Sequence, residues 1–145
     1  VKPQKPSRNL EETRIRALED IGFEDWKSVG VKAANLAAMS SFELSEEVIP
    51  QGFAVPFHFY NTFMKHNGFY EKVSELLSKH EGDGDSEVLR KALGDFRMLI
   101  REGDFPDDLR ESLAKIHASF PEGTSLRCRS STNNEDLPGF SGAGL

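Results

Sequence analysis

Residues 126–139 read LRCRSSTNNEDLPG, and this stretch says more about the fold than any other part of the sequence. In an extended strand, Arg127 and Arg129 point to one face while Cys128 points to the other. The alternation therefore predicts a strand over 125–130, with the thiol in the core. Two guanidinium groups on one face suit a multiply charged anion, because each can bind phosphate oxygens in a bidentate manner.

Hydroxyl side chains follow the arginines, and the chain then becomes rich in glycine. Ser130 and Ser131 come first, and Gly139, Ser141 and Gly142 lie in the glycine-rich stretch. Glycines allow backbone N–H groups to approach an anion closely, so the combination favours a site for a polyphosphate. The alternative is a surface strand with solvated arginines and a flexible tail. Neither the Walker phosphate loop nor the dinucleotide-binding fingerprint is present.

A second segment, VGVKAANL at residues 29–36, predicts a helix that begins close to Gly30. A lysine at a helix start opposes the helix dipole, which makes Lys32 an unfavourable choice for stability alone. A phosphate bound at the same helix end would explain the lysine, because helix starts bind anions. The alternative is an ordinary surface lysine.

Composition limits the function. The 145 residues hold 18 Lys+Arg against 24 Asp+Glu, and a net charge of −6 excludes a broadly basic nucleic-acid-binding surface. No apolar run approaches the roughly 20 residues of a membrane span, so no membrane partner is expected. A single cysteine without CxxC spacing fits a reducing compartment, the cytoplasm, and the alternative is a secreted protein without disulfides. The four histidines lack metal-ligand spacing, and no metal site is expected in this chain.

Hydrophobic periodicity predicts an α/β (α+β) fold in which helices cover a small sheet. We expect residues 1–17 to form a loose arm followed by a helix from Leu10, and the rest of the chain to form the folded part. The sheet is predicted to contain residues 53–55 and 126–130. Further helices are predicted by apolar residues at helical spacing, at 57–65, 69–80, 86–101 and from 105 onward.

Three segments occur in a characteristic order: VGVKAANL at 29–36, IPQGFAVP at 49–56 and RSSTNNEDLPG at 129–139. Together they resemble the N-terminal nucleotide-binding domain of the pyruvate phosphate dikinase and phosphoenolpyruvate synthase family. The resemblance runs over residues 18–145 and implies that they form a partial nucleotide-binding domain, the first lobe of an ATP-grasp fold. It implies that Lys32 and Arg129 contact the ATP phosphates.

By the same resemblance, the glycine-rich loop from Gly139 to Gly144 closes over the ATP phosphates. Ser130, Ser131, Ser141 and Gly142 are expected to shape the phosphate site.

The family passes a phosphoryl group from ATP to a histidine on a separate swivelling domain and then to pyruvate or another acceptor. Rifampicin phosphotransferases and glucan dikinases have a similar first domain and differ in the acceptor.

The ligands for Mg²⁺ and the phosphohistidine are expected beyond Leu145, because no histidine here matches the phosphohistidine motif. The absence of an initial Met and the end within a glycine-rich stretch also suggest part of a longer chain. Alone, it is expected to lack catalytic residues and activity.

Three positions depart from the family pattern, in which GGK precedes the first helix and SFAG lies in the loop. Val31 replaces the second glycine, Arg127 stands where an apolar residue is commoner, and Gly142 stands in the place of Phe. Val31 supports an alternative function, a non-catalytic module for nucleotide sensing or protein contact derived from the same fold.

Overall fold

The computed structural model describes residues 6–39, 42, 51–82, 84 and 86–133. In these ranges the chain is mainly helical with one small antiparallel sheet, which confirms the predicted α+β class. None of the helices described there is long and apolar enough to cross a bilayer. The chain divides into two compact units, residues 1–59 with 112–145 and residues 60–111. Lys32, Arg129, Ser130 and Ser131 belong to the first unit.

The first unit contains the sheet. Strand β1 (Arg16–Ala17) pairs antiparallel with β2 (Phe53–Ala54), and Arg16 lies opposite Ala54. Two short 3-10 turns after β1 lead into helix α1 (Trp26–Val29) and then helix α2 (Val31–Met39). Ala34 and Ala37 are the buried residues of α2, and these short side chains let the helix lie close to its neighbours.

Apolar side chains from β2 and the first helices form the core of this unit. The buried members of the cluster are Leu18, Ile21, Val29, Ala37 and Ala54. Because Val29 is only 2% exposed and directly precedes the break between α1 and α2, the core fixes the position of that break.

The helix predicted from Leu10 is wrong. No helix is present from residue 10 to residue 17, and a strand and a 3-10 turn occupy 16–20. The Leu18 N–H donates to the Gly52 carbonyl at 2.9 Å. The Arg16 guanidinium forms an ion pair with Asp25 at 3.0 Å. The bond to Gly52 takes up a backbone N–H that a helix would pair with a carbonyl four residues earlier.

The second unit is helical and aromatic at its centre. Its helices are α3 (Phe57–His66), α4 (Phe69–Lys79), α5 (Glu87–Arg101) and α6 (Asp107–Ala118), of which α3 and α6 extend into the first unit. Phe69 is 2% exposed and its ring contacts Phe63 and Phe96, with centroids 5.6 and 5.9 Å apart. The helical periodicity of the sequence is thus confirmed for this unit.

The strand predicted over 125–130 is also wrong. No strand is assigned in this segment, all six residues are exposed, and β2 pairs with β1 instead. The Cys128 thiol, predicted to be in the core, is exposed. Alternation indicates which side chains share a face. A strand also needs a hydrogen-bonding neighbour, and no described residue pairs with this segment.

Candidate functional site

Gly30 connects α1 to α2 in a conformation that is nearly exclusive to glycine. Its φ is +89° and its ψ is +161°. Its N–H donates to the Trp26 carbonyl at 2.9 Å, and its carbonyl accepts from the Ala34 N–H at 3.1 Å, so it closes one helix and opens the next. Val31 begins α2 with a helical backbone. The valine at this position therefore needs no positive φ, and the helix accommodates it.

Residues 131 and 132 lie directly against the first turn of α2. The Val31 N–H donates to the Thr132 carbonyl at 2.9 Å, and the Ala33 N–H donates to Ser131 Oγ at 3.0 Å. Both N–H groups are among those that have no partner inside a helix. The approach is close, because a Cβ placed on Gly30 would lie 2.3 Å from Ser131 Oγ.

This contact brings together two sequence-predicted phosphate-binding segments that are separated by 98 residues along the chain. Lys32 lies between Val31 and Ala33, the two α2 residues whose N–H groups bond to residues 132 and 131. Arg129 precedes Ser131 by two residues, a span of at most about 7 Å. Lys32, Arg129 and Ser130 are exposed, whereas Ser131 is half-buried. The two cations and the positive end of α2 all attract an anion.

The other predicted site residues, and the remaining candidate sites, add nothing to this arrangement. Gly139, Ser141 and Gly142 lie outside the described residues. Across the part of the chain that the structure describes, no group of His, Cys, Asp and Glu could hold a metal ion. An open surface depression of about 630 Å³ lies along β1, and none of the predicted site residues lines it.

The N-terminal segment, predicted to be a loose arm, is tied to this site at residues 7 and 9. Asn133 is 3% exposed, and its side-chain amide donates to the Ser7 carbonyl at 2.8 Å. The Asn9 N–H donates to the Lys27 carbonyl at 2.9 Å, and its side chain donates to Ser28 Oγ at 3.0 Å. Sequence reasoning missed these polar contacts, because an Asn among other polar residues gives no signal of burial.

Replacing Asn133 by alanine is expected to lower the free energy of unfolding by about 1 kcal/mol, because the hydrogen bond from its buried side-chain amide to the Ser7 carbonyl is lost. Urea denaturation followed by circular dichroism measures the change. Thr124 is exposed, and its N–H bonds to the Pro121 carbonyl through the backbone alone. Thr124→Ala should therefore change stability by less than about 0.5 kcal/mol. Equal stabilities of the Asn133→Ala and Thr124→Ala variants would contradict a stabilising hydrogen bond between Asn133 and Ser7.

Comparison with known proteins identifies the family. The sequence profile described as "Pyruvate phosphate dikinase, AMP/ATP-binding domain" matches residues 26–145. A probable phosphoenolpyruvate synthase of Methanocaldococcus jannaschii is 31% identical over 135 residues, which are 90% of this chain and 11% of that protein. The phosphoenolpyruvate synthase of Neisseria meningitidis serogroup B is 33% identical over 136 residues, 87% of this chain and 16% of that protein.

A rifampicin phosphotransferase of Streptomyces sviceus is 31% identical over 136 residues, 94% of this chain and 15% of that protein. The chain therefore spans only about 11–16% of the length of these three relatives. The matched range contains both segments that meet at the start of α2. With most of its residues inside the profile, the chain belongs to the pyruvate phosphate dikinase AMP/ATP-binding domain family.

Proposed function

We propose that this chain is the ATP-binding first lobe of an ATP-grasp domain in a phosphoenolpyruvate synthase-like phosphotransferase. The observation that carries the proposal is the contact of residues 131 and 132 with the start of α2. Arg129 comes two residues before Ser131, and Lys32 lies between Val31 and Ala33, so the contact supports a common site for the two cations. Cationic side chains that are fixed in place before a polyphosphate arrives are what phosphoryl transfer requires of a protein.

In this proposal Lys32 and Arg129 bind the ATP phosphates, and the Ser130 hydroxyl lies exposed beside them. Gly139, Ser141 and Gly142 form the loop that closes over the same phosphates. Lysine and arginine side chains cannot coordinate Mg²⁺, which is bound mainly by carboxylate oxygens. Any magnesium that accompanies the ATP would thus be held by acidic residues from outside this chain.

The second part of the proposal concerns the molecule that accepts the phosphoryl group, and it is carried over from the activities that the relatives are named for. A phosphoryl group would pass from ATP to a histidine on a separate domain and then to pyruvate. A glucan or an antibiotic is the alternative acceptor, and a rifampicin phosphotransferase is among the relatives. We place the protein in the cytoplasm, where ATP is available. The non-catalytic alternative relied on Val31, and the helical backbone there removes that support.

Reading the gene on both sides of this stretch tests the acceptor side. A second lobe with acidic metal ligands and a phosphohistidine domain would support the relay. A gene that encodes neither would overturn the relay and leave only nucleotide binding.

Lys32→Ala is expected to weaken ATP binding about tenfold, because one cation that faces the phosphates is lost. Isothermal titration calorimetry of the 145-residue chain measures the change. Lys79 is an exposed lysine at the end of α4 in the other unit. Lys79→Ala removes the same charge and should leave the affinity within about twofold. Equal affinities for the two variants would remove Lys32 from the site, and the absence of ATP binding by the unmodified chain would overturn the proposed function.

A further inference from the structure

The first turn of α2 receives its capping hydroxyl from a distant part of the chain. Most helices are capped by the residue just before them, as α5 is by Ser86, whose Oγ accepts from the Leu89 N–H at 3.1 Å. At α2 the capping position is Gly30, which has no side chain. Ser131 Oγ accepts from the Ala33 N–H, the third N–H of the helix, in the way that a serine at position 30 would.

The close contact between residues 30 and 131 explains why position 30 is a glycine and why the capping hydroxyl comes from residue 131. A Cβ on Gly30 would lie 2.3 Å from Ser131 Oγ and 2.6 Å from its carbonyl carbon. The Ser131 side chain thus occupies the place that a capping side chain at position 30 would take. The hydroxyl is half-buried and bonded within the protein, whereas the Ser130 side chain is exposed.

We propose that Ser131 is a positioning residue whose hydrogen bond to the Ala33 N–H holds Arg129 in place relative to Lys32. The inference rests on the proposed function, since it assigns Ser131 a role in ATP binding. Two adjacent serines then differ in role: Ser130 is available to a ligand, and Ser131 acts through α2. The Thr132 carbonyl adds a second bond from the same segment, to the Val31 N–H.

The test combines amide hydrogen exchange with ATP affinity in the 145-residue chain. Ser131→Ala should speed exchange at Ala33 more than at Ala37 in the middle of the same helix. It should weaken ATP binding about fivefold, because the Arg129 side chain must then be ordered when the nucleotide binds. Ser131→Thr should retain both properties, because threonine keeps the hydroxyl that accepts the hydrogen bond. Ser130→Ala should leave exchange at Ala33 unchanged.

Two results would overturn the positioning role. One is an ATP affinity that Ser131→Ala leaves unchanged. The other is a Ser131→Ala variant that loses affinity while exchange at Ala33 stays as slow as in the unmodified chain, which would mean that the hydroxyl itself contacts the nucleotide. The exchange measurement needs no ATP. An unmodified chain with slow exchange at Ala33 and no ATP binding would therefore contradict the proposed function while leaving the cap intact.

Discussion

Gly30→Ala is expected to lower the free energy of unfolding by about 3 kcal/mol or more. The first cost is backbone strain, because the φ and ψ of this residue are unfavourable for alanine by about 1–3 kcal/mol. The new Cβ would also lie 2.3–2.8 Å from Ser131 atoms, two of which belong to the backbone. Overpacking of this kind typically costs about 1–3 kcal/mol, since the Ser131 backbone cannot move aside as a flexible side chain could.

The second unit provides a matched control for that substitution. Gly94 lies inside α5, and a Cβ there would have no neighbouring atom within 4 Å. Gly94→Ala should raise stability by about 0.5–1 kcal/mol, because alanine favours the helix. Urea denaturation monitored by circular dichroism measures both variants. A Gly30→Ala variant as stable as the unmodified chain would show that residue 131 does not lie against residue 30.

Arg129→Ala is expected to weaken ATP binding about 30- to 100-fold, more than the loss of Lys32. A guanidinium can donate two parallel hydrogen bonds to one phosphate, while an ammonium acts as a point charge. Charge-assisted bonds contribute about 1.5–3 kcal/mol each, and the loss should exceed the effect of a single bond. Arg129→Lys keeps the charge and loses the bidentate geometry, so its affinity should fall between those of Arg129→Ala and the unmodified chain.

A charge-matched variant in the other unit separates local binding from net charge. Arg97 is exposed on α5, and Arg97→Ala removes one positive charge from the same chain. Its ATP affinity should stay within about twofold of that of the unmodified chain, as measured by calorimetry at fixed ionic strength. If Arg97→Ala weakened binding as much as Arg129→Ala, the attraction would come from overall charge, and Arg129 would have no specific role.

The sequence allowed the helices of the second unit to be predicted, because their apolar residues recur at helical spacing and bury locally. Phe69, for example, stands at the start of a periodic segment and is almost fully buried. The sequence also indicated that Lys32 lies at a helix start, since VGVKAANL carries a glycine before a run of helix formers. Both are short-range features, and short-range features can be read from residue order.

Features that depend on distant partners could not be predicted in this way. Arg16 and Leu18 have a helical neighbourhood in the sequence, yet their partners are Asp25 and Gly52. The polar run after Arg129 suggested ligands for phosphate. Its Ser131 hydroxyl caps a helix 98 residues away, and Asn133 is buried against the N-terminal segment. Residue types alone cannot distinguish a side chain that binds a ligand from one that satisfies the backbone.

The central claim is that the start of α2 and residues 129–132 form one ATP site. Titration of the ¹⁵N-labelled chain with ATP, followed by two-dimensional NMR, tests it most directly. We expect amide signals of residues 31–34 and 129–132 to shift together and to give one common dissociation constant. Shifts confined to residues 60–111, or shifts of only one of the two segments, would contradict the claim.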